Sequence, residues 1–379
     1  MSVNIKVTPQ LSSGKTSAGK IATVDVWPVS VPMTEPFTIS QGDILEAKNL
    51  FIRVTLESGV CGYGEIAPFP ELMGETQESC LTAATGMLGE LIGLDVNEYR
   101  AISDRLAVPL GHHPAIRCGV ETAIVDALAR EKGIPLWKLW GEASVKVHET
   151  DITIPIRNTP ETVQAIQQWH RQGFRIFKLK VGARLEDDLH TLSVVDTLST
   201  DISFIIDANQ GYTVEEALLI AKKLEGFKSA IRAFEQPVNR HDLDGMSMIT
   251  ANTSIPIAAD ESVFTLEDAQ RVIQEKAADI INLKITKSGL FSTIDIAALC
   301  QANHMPLMIG GMIETRLAMG CSFSLVLGLG GISLLDLDTP LLMTQDPLSG
   351  DGYRYDGPQL FPWNSPGLGF VPVEKPDRP

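Results

Sequence analysis

Lysines and acids recur in this chain at the ends of short apolar runs, spaced so that proton transfer beside a metal ion becomes chemically reasonable. The runs SFIID, IRAFE and IPIAAD close on Asp207, Glu235 and Asp260, and IFKLK and IINLK close on Lys180 and Lys284. An isolated charge at the edge of a buried strand costs several kcal/mol, so such groups are paired or bound to a cation. Salt bridges closing the mouth of a barrel are the plainer reading. Three acids on successive runs, flanked by lysines, fit three oxygen ligands for a hard ion, Mg2+ or else Mn2+. Zinc would call for His or Cys, and no histidine ends one of these runs. A lysine acts as a base once its pKa is lowered, and Lys178 beside Lys180 offers a second ammonium that would help. A metal that binds a substrate carboxylate would stabilise the enediolate left when the α-proton departs, a known division of labour between lysine and Mg2+.

These residues need a scaffold that brings strand ends together. From residue 146 onward, β-branched runs appear at 151–156, 176–180, 203–207, 231–235, 255–260, 280–284, 306–310 and 332–336, with amphipathic stretches such as Val214–Leu224 and Leu266–Glu275 between them. Eight strand–helix steps predict a (β/α)8 barrel over residues 146–344, whose strand tips converge on one face. A doubly wound sheet would need a phosphate loop after its first strand, whereas Gly328, Gly330 and Gly331 precede a strand. Residues 21–140 read as an α+β module: alternating strands at Ile21–Pro32 and Leu50–Glu57, a turn at Ser58-Gly59, and a helix over Ala115–Glu131. Residues 1–20 are expected to be a flexible tail, and the Gly- and Pro-rich segment 345–379 to return to the N-terminal module.

The 379 residues include 31 Lys and Arg against 47 Asp and Glu, a formal charge of -16, which disfavours nucleic acid as a partner. No apolar run has the length of a membrane span, and the polar start lacks a signal-peptide core. Five scattered cysteines without a CxxC pair point to a reducing, cytoplasmic setting.

Taken as a set, KLK (178–180), DANQGY (207–212), FEQP (234–237), ADES (259–262) and NLKITKSGL (282–290) resemble the enolase superfamily, specifically its muconate-lactonizing-enzyme-like subgroup. The resemblance implies an enolase-type modified (β/α)8 barrel under an α+β capping domain. It implies one Mg2+ held by Asp207, Glu235 and Asp260, and Lys180 and Lys284 as the two acid/base lysines. The eighth strand's DLDTP, with Asp336 and Asp338, looks like the Asp-x-Asp motif by which dipeptide epimerases hold a free α-ammonium. Capping of a following helix is its structural alternative. Thr153, Lys178 and Met312 would line the substrate pocket. The implied reaction is inversion at the α-carbon of a dipeptide's second residue; a cycloisomerase or N-acyl amino acid racemase of the same subgroup is the alternative. Where Ala-Glu epimerases carry a capping-loop arginine, this chain has Gly42. Its small size would leave room, with Ile39, Ile44 and Leu45 around an apolar pocket for bulky hydrophobic dipeptides. Asp43, if it faced inward, would instead suit cationic dipeptides. A homo-oligomer is expected by analogy alone.

Overall fold

A computed structural model describes residues 3–5, 19–199 and 201–373. Two bodies are built around the chemistry. The first is an antiparallel sheet of Val3–Ile5, Ile21–Ile39, Gly42–Leu56 and Cys61–Ile66. Val3–Ile5 pairs with Val24–Val26, so part of the expected tail is a strand; residues 6–18 lie outside the described residues. The two long strands form a hairpin that reaches past the sheet and turns at Ser40-Gln41, where Ile39 pairs with Gly42.

The helix Pro114–Glu131 packs on this sheet and is buried on nearly all sides. Its approach requires glycine: a Cβ at Gly64 would sit 2.0 Å from the carbonyl oxygen of Gly119, and one at Gly62 2.2 Å from the backbone nitrogen of Ala127. Asp126 of this helix accepts from Tyr63 N and from Leu368 N, tying sheet, helix and C-terminal segment together.

The second body is a sheet of eight parallel strands, in order Ile152–Ile154, Ile176–Lys180, Ser203–Asp207, Ala230–Glu235, Ile257–Ala259, Ile280–Leu283, Leu307–Gly310 and Ile332–Asp336. The ladder leaves a seam between the eighth and first strands. Asp151 N donates to Leu335 O across it, and Leu337 N donates to Thr150 Oγ1. Each of the first seven strands is followed by a helix of nine residues or more. The eighth is not, which corrects the expectation of eight full steps. A short 3-10 turn, Thr339–Leu342, stands there, and Pro340, Pro347, Gly350 and Gly352 then keep the chain from forming a helix.

The pleat explains where the site forms. Ile176, Ile205, Ala233, Ala258, Ile280 and Met308 pack together as an apolar layer inside the barrel, with Leu334 against them. Side chains two residues on face the same way. Those positions are Lys178, Asp207, Glu235, Asp260, Asn282, Gly310 and Asp336, so the layer above the apolar floor is almost entirely polar.

Two contacts fix the capping body over this layer. Glu65, fully buried, accepts from Thr315 N, Thr315 Oγ1, Ala318 N and Asn49 Nδ2, anchoring the loop after the seventh strand. At the hairpin, Arg157 grips both carboxylate oxygens of Glu35, at 2.8 and 3.1 Å.

Candidate active site

The structure brings the lysines and acids of the strand tips into one buried network. Lys178 Nζ, on a side chain 1% exposed, lies 2.7 Å from Asp336 Oδ2, 2.9 Å from Glu235 Oε2 and 3.0 Å from Asp207 Oδ2. Lys180 Nζ donates to Asp207 Oδ2 at 2.6 Å and Asn209 Oδ1 at 3.0 Å. Lys284 Nζ is 2.6 Å from Asp260 Oδ2. Asp260 Oδ1 takes a 2.6 Å hydrogen bond from Lys287 Nζ, which also donates to Asp260 O and Asn282 O. Asn282 Nδ2 donates to Glu235 Oε1 at 2.8 Å.

Charge balance sets the proton affinities. Burial pushes Asp207 up, but Lys178, Lys180 and Lys284 outweigh it and hold the carboxyl at about 2. Burial and Asp207 raise Glu235 to about 7 against the pull of Lys178. Glu261 rises to about 8 through burial and the charge of Asp260. Burial lowers Lys178 and Lys284, yet the surrounding acids win and hold both above the ordinary lysine range. Three carboxylates lie within 3.0 Å of Lys178 Nζ, so attraction to them dominates and the second ammonium expected beside Lys180 stays charged.

The residues fit a hard cation. Asp207, Glu235 and Asp260 offer only carboxylate oxygens, each buried at the tip of one of three adjacent strands, although among the described residues the acids whose oxygens all lie within 4.8 Å of one another are Asp151, Asp336 and Asp338. Glu261 Oε2 has no hydrogen-bond partner, and Glu235 Oε2 is met by the Lys178 ammonium. Lysine ammoniums neutralise the acids in this arrangement, and a divalent ion would take over part of that task.

A cavity of about 50 Å³ opens above the network. Lys180, Asp260 and Lys284 line it, with Thr153, Met312, Asp336 and Asp338 at the seam side and Phe37, Ile39, Phe69, Leu72 and Ile313 forming its apolar wall. Lys178, Asp207 and Glu235 lie beneath, outside that lining. Thr153 N donates to Asp338 Oδ2, and burial together with Asp336 raises Asp338 to about 7. Asp338 makes no side-chain cap to the turn that follows it, so the capping alternative is set aside.

The hairpin differs from expectation. Asp43 is exposed, accepts from Thr38 Oγ1 at 2.7 Å and does not line the cavity. Gly42 does not line it either; a Cβ there would meet nothing within 4 Å, and its φ of +143° serves the tight turn. Leu45 is 64% exposed, and of the three apolar residues expected around the pocket only Ile39 reaches it. The cause is register: the two-residue turn places Asp43 opposite Thr38 on the outer face. Phe69 and Ile313 come from loops and Leu72 from the four-residue helix Pro70–Met73, segments too short or irregular to carry a periodic signal. Asn209, Glu261 and Lys287 sat within quoted motifs and were legible there.

Residues 21–141 match the family model described as the mandelate racemase/muconate lactonizing enzyme N-terminal domain, and residues 161–375 match the enolase C-terminal domain-like model. A protein of Populus trichocarpa named L-Ala-D/L-amino acid epimerase is 37% identical over 336 residues, 87% of this chain and 79% of the relative. One of Herpetosiphon aurantiacus named aromatic dipeptide epimerase is 35% identical over 333 residues, 88% of this chain and 93% of the relative. Among solved structures, the dipeptide epimerase of Enterococcus faecalis complexed with Mg and L-Leu-L-Tyr superposes with a TM-score of 0.89 at 29% identity, covering 93% of this chain and 99% of that one.

Proposed function

The chain belongs to the mandelate racemase and muconate lactonizing enzyme family of the enolase superfamily, and from that premise we propose that it is a Mg2+-dependent dipeptide epimerase. It inverts the α-carbon of the second residue, the one bearing the free carboxylate, and prefers bulky hydrophobic dipeptides. The observation that carries the reading is the placing of two lysines across one cavity. Lys180 and Lys284 stand on the second and sixth strands, four steps apart around an eight-stranded barrel, and both line the cavity. One removes the α-proton and the other returns a proton to the opposite face, and either can begin.

Asp207, Glu235 and Asp260 would hold the Mg2+, which supplies positive charge to the substrate carboxylate and the enediolate. Asp336 and Asp338 would clasp the free α-ammonium, and Thr153 and Met312 would flank the backbone. Lys178 neutralises the acids beneath them. Phe37, Ile39, Phe69, Leu72 and Ile313 provide an apolar surface for the second side chain, and Asp43 stands outside it, which argues against a cationic side chain. Relatives named for aromatic dipeptides and solved with L-Leu-L-Tyr support the same preference. The hairpin carrying Phe37 and Ile39 forms part of the wall of this narrow cavity.

The test is conversion of L-Ala-L-Leu to L-Ala-D-Leu, followed by chiral chromatography with Mg2+ and with chelator. Magnesium-dependent inversion supports the assignment. An N-acyl amino acid racemised in preference to any dipeptide would replace it.

A further inference from the structure

The apolar floor of the barrel has one exception. Ile152 pairs with Phe177 and Thr153 with Lys178, so Asp151 lies level with Ile176. Where six other strands place Ile176, Ile205, Ala233, Ala258, Ile280 and Met308 in a packed layer, an acid stands immediately before the first strand. Asp151 is 0% exposed, and neither of its carboxylate oxygens has a hydrogen-bond partner. An oxygen of Asp151, one of Asp336 and one of Asp338 all lie within 4.8 Å of one another. Two cations face this group: Lys178, which pairs with Asp336 and is shared with Asp207 and Glu235, and Lys284, which pairs with Asp260 and is also drawn by Asp336. Asp338 has the backbone N–H of Thr153. Even with Lys178 given wholly to Asp336, three buried carboxylates outnumber the cations that face them.

An uncompensated buried carboxylate keeps a proton. Hydrogen-bond donors are what Asp151 lacks, and a shared proton supplies one. We infer that Asp151, Asp336 and Asp338 hold a single proton among them while the site is empty, and that the α-ammonium of an arriving dipeptide replaces it. The exchange balances: an O–H bond in the triad breaks, the proton passes to solvent, and the N–H donors of the ammonium take its place at unchanged total charge. The groups facing Asp151 agree in direction. Burial, Asp336, Asp338 and Glu235 raise its pKa, and Lys178 alone opposes them. Asp151 does not line the cavity, so it acts through Asp336 and Asp338 as a positioning residue. The triad titrates as a unit, and the proton belongs to the three acids together.

The inference rests on Asp336 and Asp338 as the ammonium subsite, and the experiment separates the two. L-Ala-L-Leu is titrated calorimetrically into the full-length, Mg2+-loaded protein at about pH 6.5, below the α-amino pKa, in two buffers of different ionisation enthalpy. The slope of heat against buffer enthalpy counts protons, and epimerisation contributes equally in both. The wild type should release about one proton per dipeptide bound. Asp151→Asn, with one carboxylate fewer, should bind and release close to none. N-propionyl-L-leucine, which has the same shape without the ammonium, should bind more weakly and displace no proton, a comparison that needs only the wild type. Tight dipeptide binding without proton release, or equal release by D151N, would overturn the inference and leave the epimerase reading standing. Equal affinity for dipeptide and propionyl analogue would overturn both.

Discussion

Replacing Lys284 by Met should abolish inversion while leaving half of the proton chemistry intact. Lys284 Nζ touches Asp260 Oδ2 at 2.6 Å, and its removal strips that acid of one of two ammoniums. The other, Lys287, still holds Asp260 Oδ1 at 2.6 Å. The loss to folding is therefore that of one charged hydrogen bond, about 1.5–3 kcal/mol, well short of the penalty for a wholly unpaired buried charge. Catalysis loses far more. A positioned proton donor or acceptor contributes roughly 10²–10⁴ in rate, about 3–5 kcal/mol of barrier, and Lys180 on the second strand cannot reach the opposite face of the α-carbon. In D2O, followed by NMR at the α-hydrogen, K284M should exchange the α-proton of one epimer of Ala-Leu and not the other, with inversion slowed by at least that factor. Lys180→Met should show the mirror preference. Exchange of both epimers by either variant, or inversion at near wild-type rate, would refute the two-lysine geometry.

Further outcomes follow from the same network. Asp338→Asn should raise KM for Ala-Leu by roughly tenfold to a hundredfold, the scale of a lost charged hydrogen bond, and should hardly affect binding of N-propionyl-leucine. The metal-free protein should lose stability as pH rises from about 5 to 8. Glu235 and Asp338 at about 7 and Glu261 at about 8 bind protons in the folded state that the unfolded chain has already released, so stability falls in that window. Thermal melts at the two pH values, with Mg2+ and with chelator, should show a larger Mg2+-induced rise in Tm at the higher pH. Phe69→Ala should shift kcat/KM toward bulkier second residues, with changes of roughly 10- to 200-fold between side chains. Arg157→Ala, which removes the two-pronged hold on Glu35, should weaken hairpin closure and raise KM without altering which proton is exchanged.

Much of this was readable before any coordinates. A charge ending an apolar β-branched run has few places to go in a barrel, so Asp207, Glu235, Asp260, Lys180 and Lys284 declared themselves through strand ends and spacing. The helix at Pro114–Glu131 was equally plain, since its apolar residues recur at helical intervals. Asp151 gave no such sign, because it precedes a strand and its unusual place in the floor layer shows only once neighbouring registers are known. The directions of Gly42 and Asp43 were not legible for a related reason. Their direction depends on a two-residue turn that puts alternate residues on opposite faces, and one position of register moves a side chain from the cavity to solvent. The apolar wall draws on Phe37 from the hairpin strand and on Phe69 and Ile313 from loops, all distant in sequence, so only folding assembles it. The missing eighth helix and the strand at Val3–Ile5 were departures in architecture, and the prolines and glycines after Asp338 are the local cause of the first.

The central claim is two-base proton transfer at the α-carbon of a dipeptide. It is met most directly by incubating the wild-type protein with Mg2+ and a mixed dipeptide pool in D2O and reading the products by mass spectrometry. The account predicts a gain of one deuterium in dipeptides whose second residue is large and apolar, accompanied by inversion at that carbon and suppressed by chelation. A protein that binds Mg2+ yet leaves every dipeptide unlabelled would contradict it.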